Sequence, residues 1–573
     1  MTAPSRLENI NYLYLEEYMP ECPVCFNQLS DTDTKCSVCG ATVVHNDNSK
    51  ETYPIRTTSK HSKAGPLEEA LSKLPFTFDS KKLKKYSLIL AIVFVFSFIL
   101  TFFKPSNSIN YLLYAKDDEI FFSTVSKNDP KKLTENYGKK YYNYDLGLYY
   151  RLSQNGKRVF YFDNGSNNLY YKNSSLKGEP VFIASNVSLY DIDKSGKTVT
   201  YIRDGGNLYQ HSVEKTSDPI DTDVISFITS EGENTLLYTK YDNGVLNLYR
   251  YNGKNSEKIV DYLSQLSYVS EDLKTIYYTK KGYFFKQVIG KRPITIHKDI
   301  YNVIKVYDDG KAYFAVNNPD THTSDLYFYN GKKSELVFSG YGSYSDTATD
   351  KPVIAFYATS GDGQKLYTAV GSKAAEVNGI SSDNIYVDPT GKCVYYITDI
   401  DPVSFTGTLY KAKISPKGLS SSKKIETNVY NGKFVDGGKF LFIKNYNQNT
   451  YSGEVYLNDK KIGDNISWAH MTYIEKKGSF VFFEYSSELY GNMIYYNGKR
   501  VKRIDENILL TNYSITTKGD VVYLKNYSED FLVGDMYIFN GSRSKEVDVG
   551  VTHVSKTYDK TDFNRYLKGS LVS

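Results

Sequence analysis

The sequence predicts a mainly β fold, tandem four-stranded blades forming one or two β-propellers, preceded by a small metal-binding ribbon and one membrane helix. Three observations predict it: a strand motif that recurs about every 40 residues, two paired-cysteine motifs near the N-terminus, and one uninterrupted apolar run. The chain of 573 residues divides at that run. Segment 1–19 precedes the ribbon, which spans 20–41. A polar, basic linker spans 42–85, the apolar run 86–103, and the repeat region 104–573. The net charge of +5 is small for this length and gives no bulk argument for nucleic-acid binding.

The ribbon comes first. Cys22-Pro-Val-Cys25 and Cys36-Ser-Val-Cys39-Gly40 are two C-x-x-C pairs on a short connection. Each pair forms a knuckle that turns two thiolates to one side, and two knuckles complete a tetrahedral four-sulfur site. Four soft thiolates select zinc over magnesium or calcium. Cys22, Cys25, Cys36 and Cys39 are therefore the expected ligands of a structural zinc, which a module too small to own a core needs. No His or carboxylate is spaced to open a catalytic position. The segment resembles the short zinc ribbons at the N-termini of many bacterial membrane proteins. Its one departure is Phe26, where such ribbons usually carry Gly.

The apolar run follows. Of the sixteen residues 88–103, thirteen are Leu, Ile, Val or Phe, and none is charged. With Tyr86 and Ser87 the run reaches the short end of a membrane helix. Lys81, Lys82, Lys84 and Lys85 flank it on one side and Lys104 on the other. The positive-inside rule then puts the N-terminus and ribbon in the cytosol and the repeat region outside. The expected localisation is the cell membrane, single-pass, with the lipid bilayer as the first partner.

The repeat region supplies the fold. Gly156-Lys-Arg-Val-Phe-Tyr161, Gly196-Lys-Thr-Val-Thr-Tyr201 and Gly391-Lys-Cys-Val-Tyr-Tyr396 are clear copies of one strand. A second strand follows each, as in Leu248–Lys254, Leu326–Lys332 and Ile494–Lys499, and ends on Asn-Gly, a tight-turn signal. Alternate residues are apolar, as half-buried strands require. Two further apolar runs fit in each unit; in the second unit these are Pro180–Ile183 and Ser188–Asp191. Four strands per unit make one propeller blade, and radial stacking covers both faces of each sheet. About eleven units are expected from near residue 110 onwards. Since propellers usually have four to eight blades, regions 104–345 and 346–573 are expected as two propellers, with one large ring as the alternative. The pattern resembles TolB-like propeller repeats and the propeller domains of unknown function in bacterial surface proteins, a likeness that implies fold more than activity.

No Gly-x-Ser-x-Gly elbow or metal-spaced histidine pair stands in the repeat region. Cys393 is its lone cysteine and reads as a small buried strand residue. The 56 tyrosines read mainly as packing between blades rather than as sugar platforms. The expected function is non-enzymatic: binding or sensing of an extracytoplasmic protein or glycan by the propeller, with a cytosolic protein docked at the ribbon. An envelope scaffold and an enzyme with its site in the propeller channel are the alternatives.

Overall fold

The structure is a computed structural model. It describes residues 109–134 and 149–558, apart from 118, 127–128, 164–166, 231–234, 321–322, 361–362, 378–383, 436–437 and 488, together with Leu567. The ribbon cysteines Cys22, Cys25, Cys36 and Cys39, the basic linker and the apolar run 86–103 lie outside the described residues. Among the described residues no helix is long and apolar enough to cross a membrane.

The repeats fold into antiparallel sheets. Blade 4 shows the pattern: Val224–Thr229, Leu236–Asp242, Val245–Tyr251 and Ser256–Val260, hydrogen-bonded in that order. The Gly-Lys motif is the turn from the first strand into the second. The Asn-Gly motif is the turn from the third strand into the fourth. Blade 3 has three strands, and Asp221 bridges to Leu208 in place of the fourth. Three long strands, Ser334–Thr347, Lys423–Val435 and Val501–Ile515, each finish one blade and begin the next. The first of them runs through the expected division at residue 345.

The chain direction reverses at each passage between blades, and left-handed backbone marks the place. Asn186, Asp223 and Asp299 adopt φ of 52°, 59° and 58° there, and Gly340, Asn428 and Asn507 do so inside the three long strands. Asn, Asp and Gly tolerate this region best, which is why they recur at the passages.

The described residues form eleven blades, and hydrophobic cores join each to the next. A further core joins blade 11 to blade 1 through Leu112, Tyr114, Val522, Leu524 and Val554. The cycle is closed by strand pairing as well. Blade 1 takes its first strand, His553–Val554, from the C-terminal end, and its second, Tyr111–Lys116, from the N-terminal end. Leu567 is fully buried in the core between blades 4 and 5.

The tyrosines lie largely in these interfaces, and their hydroxyls bond to the neighbouring blade. Tyr277 of blade 5 donates to the Gly310 carbonyl at 3.0 Å, and Tyr313 of blade 6 to the Pro352 and Gly371 carbonyls at 2.9 Å each. Each ring that is fully buried contributes about 2 kcal/mol of hydrophobic stabilisation, and the bonded hydroxyl avoids a desolvation cost.

A buried polar network also ties the first strands of blades 2, 3 and 4. The Arg151 guanidinium donates to Asp191 Oδ1 at 3.2 Å and to the Tyr190 carbonyl at 2.5 Å, and lies 4.1 Å from the Tyr190 ring centre. Thr229 Oγ1 donates to the other Asp191 oxygen at 2.5 Å.

Candidate functional site: a lysine-lined cleft on one face of the ring

Antiparallel order gives the ring two distinct faces. Turns from first to second and from third to fourth strand share one, called here the turn face. Second-to-third turns and the passages between blades share the other, the crossover face.

On the crossover face lysines are held in ion pairs between blades. Asp548 of blade 11 accepts from Tyr114 Oη at 2.6 Å and Lys116 Nζ at 2.8 Å, both in blade 1. Asp505 repeats this with Tyr523 at 3.0 Å and Lys525 at 2.6 Å. Asp221 repeats it with Tyr238 at 2.7 Å and Lys240 at 2.6 Å. A Tyr-x-Lys at the end of a second strand thus clamps a carboxylate from the preceding blade.

On the turn face the lysines stand at the tips of tight turns. Lys157, Lys197 and Lys392 follow the motif glycine, and Lys254, Lys332 and Lys499 follow Asn-Gly; all six are exposed and form no ion pair. The motif glycine explains the placement. Gly391 has φ of 68°, and a Cβ there would stand 2.7 Å from Val353 Cγ2 of blade 7. The turn is pressed on the preceding blade, so the next residue points to solvent. In the blade 3 turn the carboxylate serves the backbone: Asp193 Oδ1 accepts from the Lys197 and Thr198 amides at 2.7 and 2.8 Å.

A cleft of about 680 Å³ opens on this face between blades 7 and 8. Pro352, Val353, Val370 and Ile414 form its apolar lining, with Lys351, Lys392, Lys411 and Lys413 around it. Lys411 is half-buried beneath its neighbours and its ammonium lies 4.9 Å from the Tyr395 ring centre. Its hydrogen bond to Tyr395 pushes the amine above its ordinary value, so it is charged. Asp388 is the one carboxylate of the cleft. One of its oxygens accepts from the Thr390 amide at 2.8 Å, and the other lies 3.5 Å from the Cys393 thiol.

Cys393 is buried, as the sequence reading expected. Burial first, then the Asp388 carboxylate, pushes its thiol up to about 11, so it remains protonated at neutral pH and is a poor nucleophile. The cleft therefore offers positive charge above an apolar floor, which suits recognition of an anion.

The remaining histidines are separate. His211 bonds Tyr201 at 3.0 Å, His470 bonds Ser467 at 2.9 Å, and His553 is half-buried in the closing strand. Among the described residues no group of three or more His, Cys, Asp or Glu is arranged to hold a metal ion.

No protein-family model matches the chain, and no curated protein matches it. Solved structures similar to it include a eukaryotic initiation factor at 10% identity, covering 70% of this chain and 97% of that one with a TM-score of 0.36. The tricorn protease matches at 13% identity over 78% of this chain and 62% of that one, with a TM-score of 0.25. Porphyromonas gingivalis dipeptidyl peptidase 4 matches at 12% identity over 71% and 59%, with a TM-score of 0.33.

Proposed function

We propose that the chain is a membrane-anchored, non-enzymatic binding protein. Its cytosolic ribbon holds a structural zinc on Cys22, Cys25, Cys36 and Cys39. Its helix at 86–103 crosses the bilayer, and its propeller lies on the outer side and binds anionic ligands. The observation that carries the binding reading is the cleft between blades 7 and 8, where four lysines, none in an ion pair, surround one carboxylate over an apolar floor. The buried Cys393, whose thiol the neighbouring Asp388 carboxylate helps to keep protonated, favours binding over chemistry there.

Titration of the full-length protein with polyglutamate or polyphosphate tests the cleft. Binding weakened about tenfold or more by Lys392→Glu with Lys413→Glu, and weakened by salt, supports the reading; affinity unchanged by both substitutions contradicts it. For the ribbon, about one zinc per chain is expected, lost in Cys22→Ser with Cys36→Ser. Zinc retained by that double variant contradicts the ligand assignment.

A further inference from the structure

We infer that the turn face of the ring docks on anionic lipid headgroups of the membrane that anchors the chain. The inference rests on the anchoring proposed above and gives the anionic ligand a source.

Three observations place this face against lipid. The first is where the chain enters the ring. Thr517 Oγ1, in a turn of blade 11, donates to the Ile109 carbonyl at 3.1 Å, and Asn110 Nδ2 donates to Asp520 Oδ2 at 2.7 Å. Ile109 also packs against Gly156, in the corresponding turn of blade 2. All three partners, Thr517, Asp520 and Gly156, belong to the turn face, so the chain arrives on that side.

The second is length. The apolar run ends at Phe103, six residues before Ile109. Six residues span at most about 21 Å when fully extended. A ring tethered so closely at one face has that face near the bilayer.

The third is charge. The repeat places lysine at turn tip after turn tip around this face, as at Lys157, Lys254, Lys332, Lys392 and Lys499, and the cleft adds Lys351, Lys411 and Lys413. On the opposite face Lys116, Lys240 and Lys525 are held by Asp548, Asp221 and Asp505. Some lysines of this face are paired too, Lys311 with Asp309 and Lys333 with Glu335, but Lys157, Lys254, Lys332, Lys392 and Lys499 are exposed, form no ion pair and can meet phosphate. Polybasic surfaces gain affinity for anionic lipid with each added lysine and lose it with salt. The cleft, about 680 Å³ and open on the same face, is large enough for a headgroup.

Hydrogen exchange of the full chain in lipid nanodiscs tests this. Discs of phosphatidylglycerol with phosphatidylcholine should slow amide exchange in the turns at Lys254, Lys332 and Lys499 by about tenfold over phosphatidylcholine alone, because docking excludes water there. The loops at Val403 and Phe531 on the crossover face should not change. The triple variant K254E/K332E/K499E should abolish the protection at unchanged melting temperature, and K254Q/K332Q/K499Q should reduce it. Equal exchange in both lipids, or protection on the crossover face, overturns the docking. A chain that does not enter discs of either composition overturns the anchoring itself, and the docking with it.

Discussion

The two faces of the ring are built from the same repeat and treat charge in opposite ways. On the crossover face a lysine ends a second strand and meets an aspartate from the preceding blade, with a tyrosine hydroxyl on the same carboxylate. On the turn face most lysines that follow a glycine or an Asn-Gly, Lys157, Lys197, Lys254, Lys332, Lys392 and Lys499, have no carboxylate partner, while Lys311 pairs with Asp309 of its own turn. Large apolar side chains divide the faces too. Val403, Tyr451 and Phe531 project from second-to-third-strand loops, and Phe531 is 77% exposed. Gln448 Nε2 donates to the Val403 carbonyl at 2.7 Å, linking two of those loops. The same residue type therefore serves cohesion on one side and remains available for recognition on the other. The strand position that bears it makes the difference.

The largest expected effect lies in neither face but in the buried network that both depend on. Asp191→Ala leaves the Arg151 guanidinium buried without its carboxylate and should cost about 3–5 kcal/mol, read as a drop in denaturation midpoint. A loss below about 1 kcal/mol would mean that the pair contributes little to joining blades 2 and 3.

Acid should act next, at the seam where the ring closes. Burial holds the His553 imidazole down to about 4, below its ordinary 6.5. Burial pushes the Asp548 carboxyl up, but the Lys116 ammonium and Tyr114 hydroxyl bring it below its ordinary 3.8. Both groups have depressed folded values, so their contributions are intact above the unfolded values and are lost as pH falls through the folded ones. The His553 contribution, up to about 3 kcal/mol, falls between pH 6.5 and about 4. The Asp548 contribution falls below pH 3.8. His553→Leu should flatten the upper part of the stability–pH curve, measured by denaturant unfolding. An unchanged slope would contradict a neutral His553 in the folded protein.

Substitutions in the two faces then sharpen the comparison directly. Asp505→Ala removes the acceptor of Tyr523 and Lys525 and should cost about 2 kcal/mol. Lys254→Ala and Lys332→Ala, at exposed turn tips, should each change stability by less than about 0.5 kcal/mol. Equal costs on the two faces would erase the distinction drawn between them.

Much of the fold was legible because the repeat carries it. A Gly-Lys or an Asn-Gly signal marks at least one turn of most blades, and the runs near Ile183 and Ser188 are the strands Val181–Ala184 and Val187–Ile192. Cys393 lies buried, as a lone small strand residue should. The ties between blades were not legible. Tyr523 and Lys525 stand in one strand, Val521–Ser528, and their partner Asp505 lies 18 and 20 residues away in another blade. The passages between blades escaped for a related reason: the left-handed position is filled by Asn186, Asp223, Tyr262 or Gly340, so no single residue type marks every passage. The cleft draws its lysines from separate turns and strands, Lys351, Lys392 and Lys411 among them, and only the packing of blade 8 on blade 7 brings them together. Closure likewise joins the Tyr111 strand to the His553 strand, two segments with no sequence signal to each other.

Distance from the bilayer is the most direct test of the central claim, that the lysine-tipped face looks towards the membrane. A fluorophore on Lys254→Cys reports the turn face and one on Phe531→Cys the crossover face, each in full-length protein reconstituted in nanodiscs with an acceptor-labelled lipid. Strands of six to eight residues separate the faces by about 20–25 Å. The account predicts strong energy transfer from position 254 and markedly weaker transfer from position 531. Equal transfer from both, or stronger transfer from position 531, would contradict it.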